Sequence, residues 1–231
     1  MKACTWLAAV AMTVGAGSLA LGDVTGKVTY NGPRVKPKMI NMNAVPQCAG
    51  LNAGPVFDPS VVIGPAGELQ NVAVYVKNGT GAGGEIPKDP VVLNQKGCMY
   101  EPHVVTVMVG QKLMAKNSDG CLHNVHALAK KNGETNFPQV NKGQQDPIDA
   151  TKQTETFRVK CDVHPWMSAI VVVVDNPYSA VSGNNGTFTI KGLKDGKYTL
   201  VAEHEKYGKQ EAQIEVKDGK ATQDFKFSKK K

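Results

Sequence analysis

Seven consecutive residues, Cys161-Asp162-Val163-His164-Pro165-Trp166-Met167, put a thiol, an imidazole and a thioether on one short stretch. These are soft and borderline donors, the set that suits copper. A mononuclear copper site built from two imidazoles and one thiolate in a rough plane, with a weak axial Met, lacks only one imidazole here. The upstream run Asn117-Ser118-Asp119-Gly120-Cys121-Leu122-His123-Asn124-Val125-His126 offers two, His123 and His126. If that run is a strand, residues three apart point to opposite faces, so the two cannot easily share one ion.

Three other readings compete. Structural zinc favours three or four strong Cys/His ligands, often as Cys-x-x-Cys pairs; the chain has no such pair, and Met is a poor zinc ligand. A catalytic Cys–His pair usually meets through the fold rather than across three residues. A Cys, a His and a Met can also simply pack in a core, which is the ordinary fate of each alone.

The elements that position these residues read as strands. Thr154-Glu155-Thr156-Phe157-Arg158-Val159-Lys160 alternates and runs straight into Cys161, and Ser168 to Asp175 is a nearly continuous valine run, the mark of a strand buried on both faces. Val104 to Val109 and Lys112 to Lys116 precede an Asn-x-Asp-Gly turn and the His-Asn-Val-His strand. Nearer the N-terminus, Val24 to Tyr30 and Glu68 to Lys77 alternate as strands. Between them, residues 32–60 carry Pro, Asn and Gly without a period and read as a long connection. Residues 78–90 are the most linker-like stretch. His103 and His204 fall in expected strands without sequence partners for a metal and read as structural.

The chain has 231 residues and a formal charge of +7, room for one large or two small domains. Lys2, the apolar Leu7–Val14 run and the small residues Ser18, Ala20 and Gly22 read as a secretory leader over 1–22, with a retained anchor as the lesser reading. The expectation is a periplasmic or secreted protein without stable membrane insertion. Removal of that segment leaves Cys48, Cys98, Cys121 and Cys161. With Cys161 reserved for a metal, three remain, and Cys48–Cys98 is the expected disulfide, because a bond at Cys121 would crowd His123; the alternative is three buried thiols. The basic charge favours a partner with an acidic surface. Clustered Arg and base-stacking aromatics are lacking, which argues against nucleic acid.

In its order, one His upstream and then Cys-x-x-His-x-x-Met on a single loop, the chain resembles the cupredoxin, or blue copper, family, with an amicyanin-like ligand motif. The resemblance covers about residues 91–175. It implies a Greek-key β-sandwich and one type 1 copper held by His123, Cys161, His164 and Met167, with His126 outside the ligand set. It implies that Asn124 braces the Cys loop and that His164 is the ligand nearest solvent, in an apolar patch. Trp166 then belongs either to that patch or to the core. The function implied is single-electron transfer between redox partner proteins, not enzymatic turnover. Alternatives are a copper carrier or buffer and an envelope scaffold or adhesion module. The C-terminal Gly-Thr-Phe-Thr-Ile and Gly-Lys-Tyr-Thr-Leu strands resemble a transthyretin-like, carboxypeptidase-regulatory-like β-sandwich, but only its later strands. The expected organisation is all-β: residues 23–90 supplying strands to a sandwich completed by 176–231, with the 91–175 domain inserted. Two domains in series is the rival arrangement.

Overall fold

The structure, a computed structural model, describes residues 21–229. Most of the expected leader therefore lies outside the described residues; its last two positions, Leu21 and Gly22, open the first strand, Leu21–Tyr30. The described chain is almost entirely β, with one five-residue helix, Pro46–Gly50. Among the described residues no helix is long and apolar enough to cross a membrane.

Two β-sandwiches are present. The first packs a five-stranded sheet, in the order Thr135–Gln139, His123–Ala127, Glu155–Lys160, Ser168–Val174, Val104–Met108, on a four-stranded sheet in the order Gln145–Pro147, Leu113–Asn117, Val91–Lys96, Met99–Glu101. Period-two alternation drives this packing. In Glu155–Lys160, Phe157 and Val159 turn inward while Thr156 and Arg158 face out. Fully burying one such apolar side chain stabilises the fold by roughly 1.5–3 kcal/mol.

The second sandwich draws on both ends of the chain. Strand Leu21–Tyr30 lies between Thr187–Lys194, antiparallel, and Lys220–Thr222 and Phe225–Phe227, both parallel. Strand Ala73–Val76 is flanked by Ser179–Val181 and Gly196–His204, and Gly208–Val216 forms the edge. N-terminal strands thus occupy interior positions in sheets whose remaining strands are C-terminal. Val24, Val28, Val74, Phe188, Ile190, Leu200 and Phe227 share their core.

The valine run explains how the sandwiches join. Ala169, Val171 and Val173 point into the first core. Val172 and Val174 point the other way, against Ala73, Tyr75 and Val201 of the second sandwich. Both faces of this strand are apolar because both are covered. His103, expected to be structural, spans the same junction: Nδ1 lies 3.0 Å from the Ser168 carbonyl and Nε2 2.5 Å from Glu205 Oε1.

The long connection is more ordered than its composition predicts. Met39–Ile40 pairs with Val56–Phe57, and the helix between them carries Cys48. Cys48 is bonded to Cys98, which fixes this strap to the first sandwich.

Candidate metal centre

Two segments converge at one end of the first sandwich. His123 opens the strand His123–Ala127, whose alternation buries His123, Val125 and Ala127 and turns Asn124 and His126 outward. Cys161 follows Glu155–Lys160, and the loop from Cys161 to Met167 closes on itself: Met167 N–H donates to the His164 carbonyl (2.9 Å) and Cys161 N–H to the Met167 carbonyl (3.2 Å). This loop returns the chain into Ser168–Val174, antiparallel to the strand it left.

His123 Nδ1 lies 3.1 Å from His164 Nδ1, and Cys161 Sγ lies 3.6 Å from His164 Nδ1. Donor atoms of all three residues fall within 4.8 Å of one another, and all three are buried. Two donors sharing one ion at about 2.0–2.3 Å each can be no more than roughly 4.5 Å apart. Both measured separations fit one ion. Met167 is fully buried in the same core as Cys161.

Burial alone would push the Cys161 thiol up. Hydrogen bonds from His123, His164 and the Asn124 backbone N–H outweigh it and bring the thiol down to about 6. The Asn124 N–H lies 3.4 Å from the sulfur. The pocket thus favours a thiolate, the form that ligates metals. Asn124 also braces the loop, its Oδ1 accepting the Asp162 N–H at 3.0 Å.

His123 is oriented from behind. Its Nε2 lies 2.9 Å from Asp119 Oδ2, both side chains buried. With Nε2 held by the carboxylate, Nδ1 is the ring nitrogen that faces His164 and Cys161. Burial lowers the affinity of His123 for a proton, and Asp119 and Cys161 more than reverse this. Asp119 in turn accepts the backbone N–H groups of Gly97 and Cys98, each at 2.8 Å. These two residues form a two-residue hairpin turn with φ of +62° and +55°, the conformation of a tight type I′ connection. A non-Gly residue at Cys98 is disfavoured in this region, and the carboxylate and the disulfide hold it there. Asp119 was legible only as part of a turn; an acid four residues ahead of a candidate ligand was the available signal.

His126 points away from the cluster, between Asp162 Oδ2 (2.8 Å) and Glu134 Oε1 (2.5 Å). His164 is the least buried of the four candidate ligands, as expected, but it is only 2% exposed and is covered rather than open in an apolar patch. The Trp166 ring lies 5.5 Å from it, and the disulfide sulfurs fall within 4.8 Å of its nitrogen. Trp166 is partly buried and donates its indole N–H to the Cys98 carbonyl at 3.0 Å. The exposed apolar residues nearby are instead Val163 and Leu122, each next to a candidate ligand in sequence. Cys48–Cys98 forms as expected, and Cys121 is a free thiol 3.7 Å from His123 Nε2.

The molecule is therefore a double β-sandwich with a buried cluster of two His and one Cys, and with Met167 buried in the same core as the Cys. Residues 164–228 match the model of the carboxypeptidase regulatory-like domain. That match begins inside the Cys161–Met167 loop and takes in Ser168–Val174, a strand hydrogen-bonded within the first sandwich. No curated protein matches the chain. Among solved structures, the chain is similar to a copper-containing nitrite reductase from Thermus scotoductus SA-01, at 20% identity and TM-score 0.35, over 43% of this chain. The chain spans 25% of that reductase. It is similar to the reduced state of an amicyanin variant at 30% identity and TM-score 0.33, covering 38% of this chain and 86% of that one. A Cu(I) amicyanin variant shows 26% identity and TM-score 0.33, covering 45% and 98%. At these TM-scores the likenesses carry no argument about the fold, which rests on the strand pairing described above.

Proposed function

We propose that this chain is an exported cupredoxin-type protein that binds one copper ion through His123, Cys161, His164 and Met167 and carries single electrons between redox partners. The observation that supports this most is the convergence of His123 Nδ1, Cys161 Sγ and His164 Nδ1 from two separate segments, in a pocket that favours the thiolate. Copper in such a set cycles between Cu(I) and Cu(II). The chain's own part is rigidity. Asp119 orients His123, Asn124 ties Asp162 to the neighbouring strand, and two backbone hydrogen bonds close the ligand loop. Donors held this way move little between oxidation states, which suits electron transfer better than turnover of a bound substrate.

With His164 covered, Val163 and Leu122 supply the apolar surface nearest the ligands for a brief encounter with a partner. The net charge of +7 favours an acidic one. The visible spectrum of the purified protein with Cu(II) tests the reading. An intense thiolate-to-copper band is expected, and a colourless or weakly absorbing complex would rule out the type 1 assignment. Fast self-exchange separates an electron carrier from a copper carrier or buffer.

A further inference from the structure

Three sulfur atoms meet beside the ligand cluster, and only two of them share a bond. Cys48 and Cys98 form the disulfide, and both are fully buried. The free thiol of Cys121, partly exposed, lies 3.9 Å from Cys98 Sγ. Asn117 fixes this neighbour, its side-chain amide donating to the Cys121 carbonyl at 3.0 Å. A thiol in contact with a disulfide sulfur is one displacement away from exchanging partners.

We propose that Cys121 is an exchange thiol for the Cys48–Cys98 disulfide. In the step, the Cys121 sulfur bonds to Cys98 Sγ and the Cys98–Cys48 bond breaks. Cys48 leaves with the electron pair of that bond and takes up the proton that Cys121 gave up. One disulfide and one thiol stand on each side, so no oxidant or reductant is consumed.

The exchange changes what the crosslink holds. Cys48 lies on the strap, whereas Cys98 and Cys121 both belong to the first sandwich. In the resting state the bond ties the strap down beside His164. After exchange the crosslink lies within the sandwich, and the strap rests on apolar contacts from residues such as Ile40, Met42, Val45 and Val56. The cover over His164 is then loosened. Access to the bond changes too. Both sulfurs of Cys48–Cys98 are shielded, but a Cys98–Cys121 bond puts one sulfur at a partly exposed position. Cys121 thereby gives solvent dithiols a route to a buried disulfide. None of this requires a bound metal, so it stands apart from the proposed function.

The test is the rate at which dithiothreitol reduces the disulfide in the folded, metal-free full chain, read by acid quench and peptide mapping. Uncatalysed exchange takes minutes to hours, which sets the sampling window. Cys121→Ser should slow reduction at least several-fold, and equal rates would overturn the proposal. Should that variant fail to fold, Cys48→Ser provides the second arm. Folded Cys48→Ser in a glutathione redox buffer should form a Cys98–Cys121 disulfide, and two persistent free thiols there would overturn the proposal as well.

Discussion

Asp119 Oδ2 lies 2.9 Å from His123 Nε2, and the same carboxylate accepts both amides of the Gly97-Cys98 turn. One buried acid therefore couples a candidate ligand to the hairpin that carries the disulfide. Asp119→Asn removes the charge while keeping the size. Copper affinity should fall about 10–100-fold, the usual cost of losing a group that orients a ligating His. A competition titration alongside circular dichroism reads this; unchanged affinity in a folded variant would mean that the carboxylate does not hold His123 in its metal-binding pose.

Cys161→Ser should abolish the intense visible band, and His123→Ala should weaken or reshape it. His126→Ala should leave it in place, because both His126 nitrogens face Asp162 and Glu134 outside the cluster. Met167→Leu, a swap of similar volume, should keep the band and shift the reduction potential. A protein bleached by His126→Ala but not by His123→Ala would reverse the assignment.

Residues 176–231 alone should not fold. Their sheets lack the interior strands Leu21–Tyr30 and Ala73–Val76. Without them, Phe188, Ile190, Leu200 and Phe227 have no apolar partners from the N-terminal strands. A dispersed, stable NMR spectrum from that fragment would contradict the shared sandwich.

Gly26 sits where no side chain fits. A Cβ there would stand 1.8 Å from the Gln223 carbonyl oxygen and 2.7 Å from the Phe188 ring. Gly26→Ala must push apart the parallel pairing of the first strand with the C-terminal strands. A loss of about 1–3 kcal/mol is expected from such overpacking, measured by urea unfolding. An unchanged midpoint would show that these strands separate without cost.

His204 makes stability pH-dependent. Burial lowers its pKa from the ordinary 6.5 to about 4. Nδ1 accepts the Lys206 N–H at 3.1 Å, so Nε2 carries the proton, and Nε2 has no partner among the described residues. The ring stacks on Tyr207 and lies near Phe227, while His103, Glu205 and Lys206 are the charged or titratable groups whose fields reach it. Because the folded pKa is depressed, the unfolded chain binds the His204 proton first as pH falls. Its contribution is therefore complete above about pH 6.5 and is lost as pH falls toward 4, by up to about 3 kcal/mol. Between pH 7.5 and 4.5 the urea midpoint of the native protein should fall further than that of His204→Phe. Parallel declines would remove His204 as the cause.

The candidate donor residues were legible in sequence because their chemistry is local. Cys161, His164 and Met167 lie within seven residues, and the alternation of His123–Ala127 separates His123 from His126 by face alone. The strand character of both sandwiches followed from period two, and the two-sided valine run announced that something covers its second face. What covers it depended on contacts across long separations that no local pattern encodes. Leu21–Tyr30 pairs with residues 187–194, and His103 meets Glu205 across 102 positions. The same holds for His164. The family resemblance implies a ligand near solvent, and His164 is the least buried of the four, but a connection without periodicity, fixed by a disulfide spanning 50 residues, brings Cys48 beside it and leaves it almost fully covered. Residue types and short spacings determine which atoms can bind a metal. Only the tertiary structure decides which are buried, because burial depends on segments brought near from elsewhere in the chain.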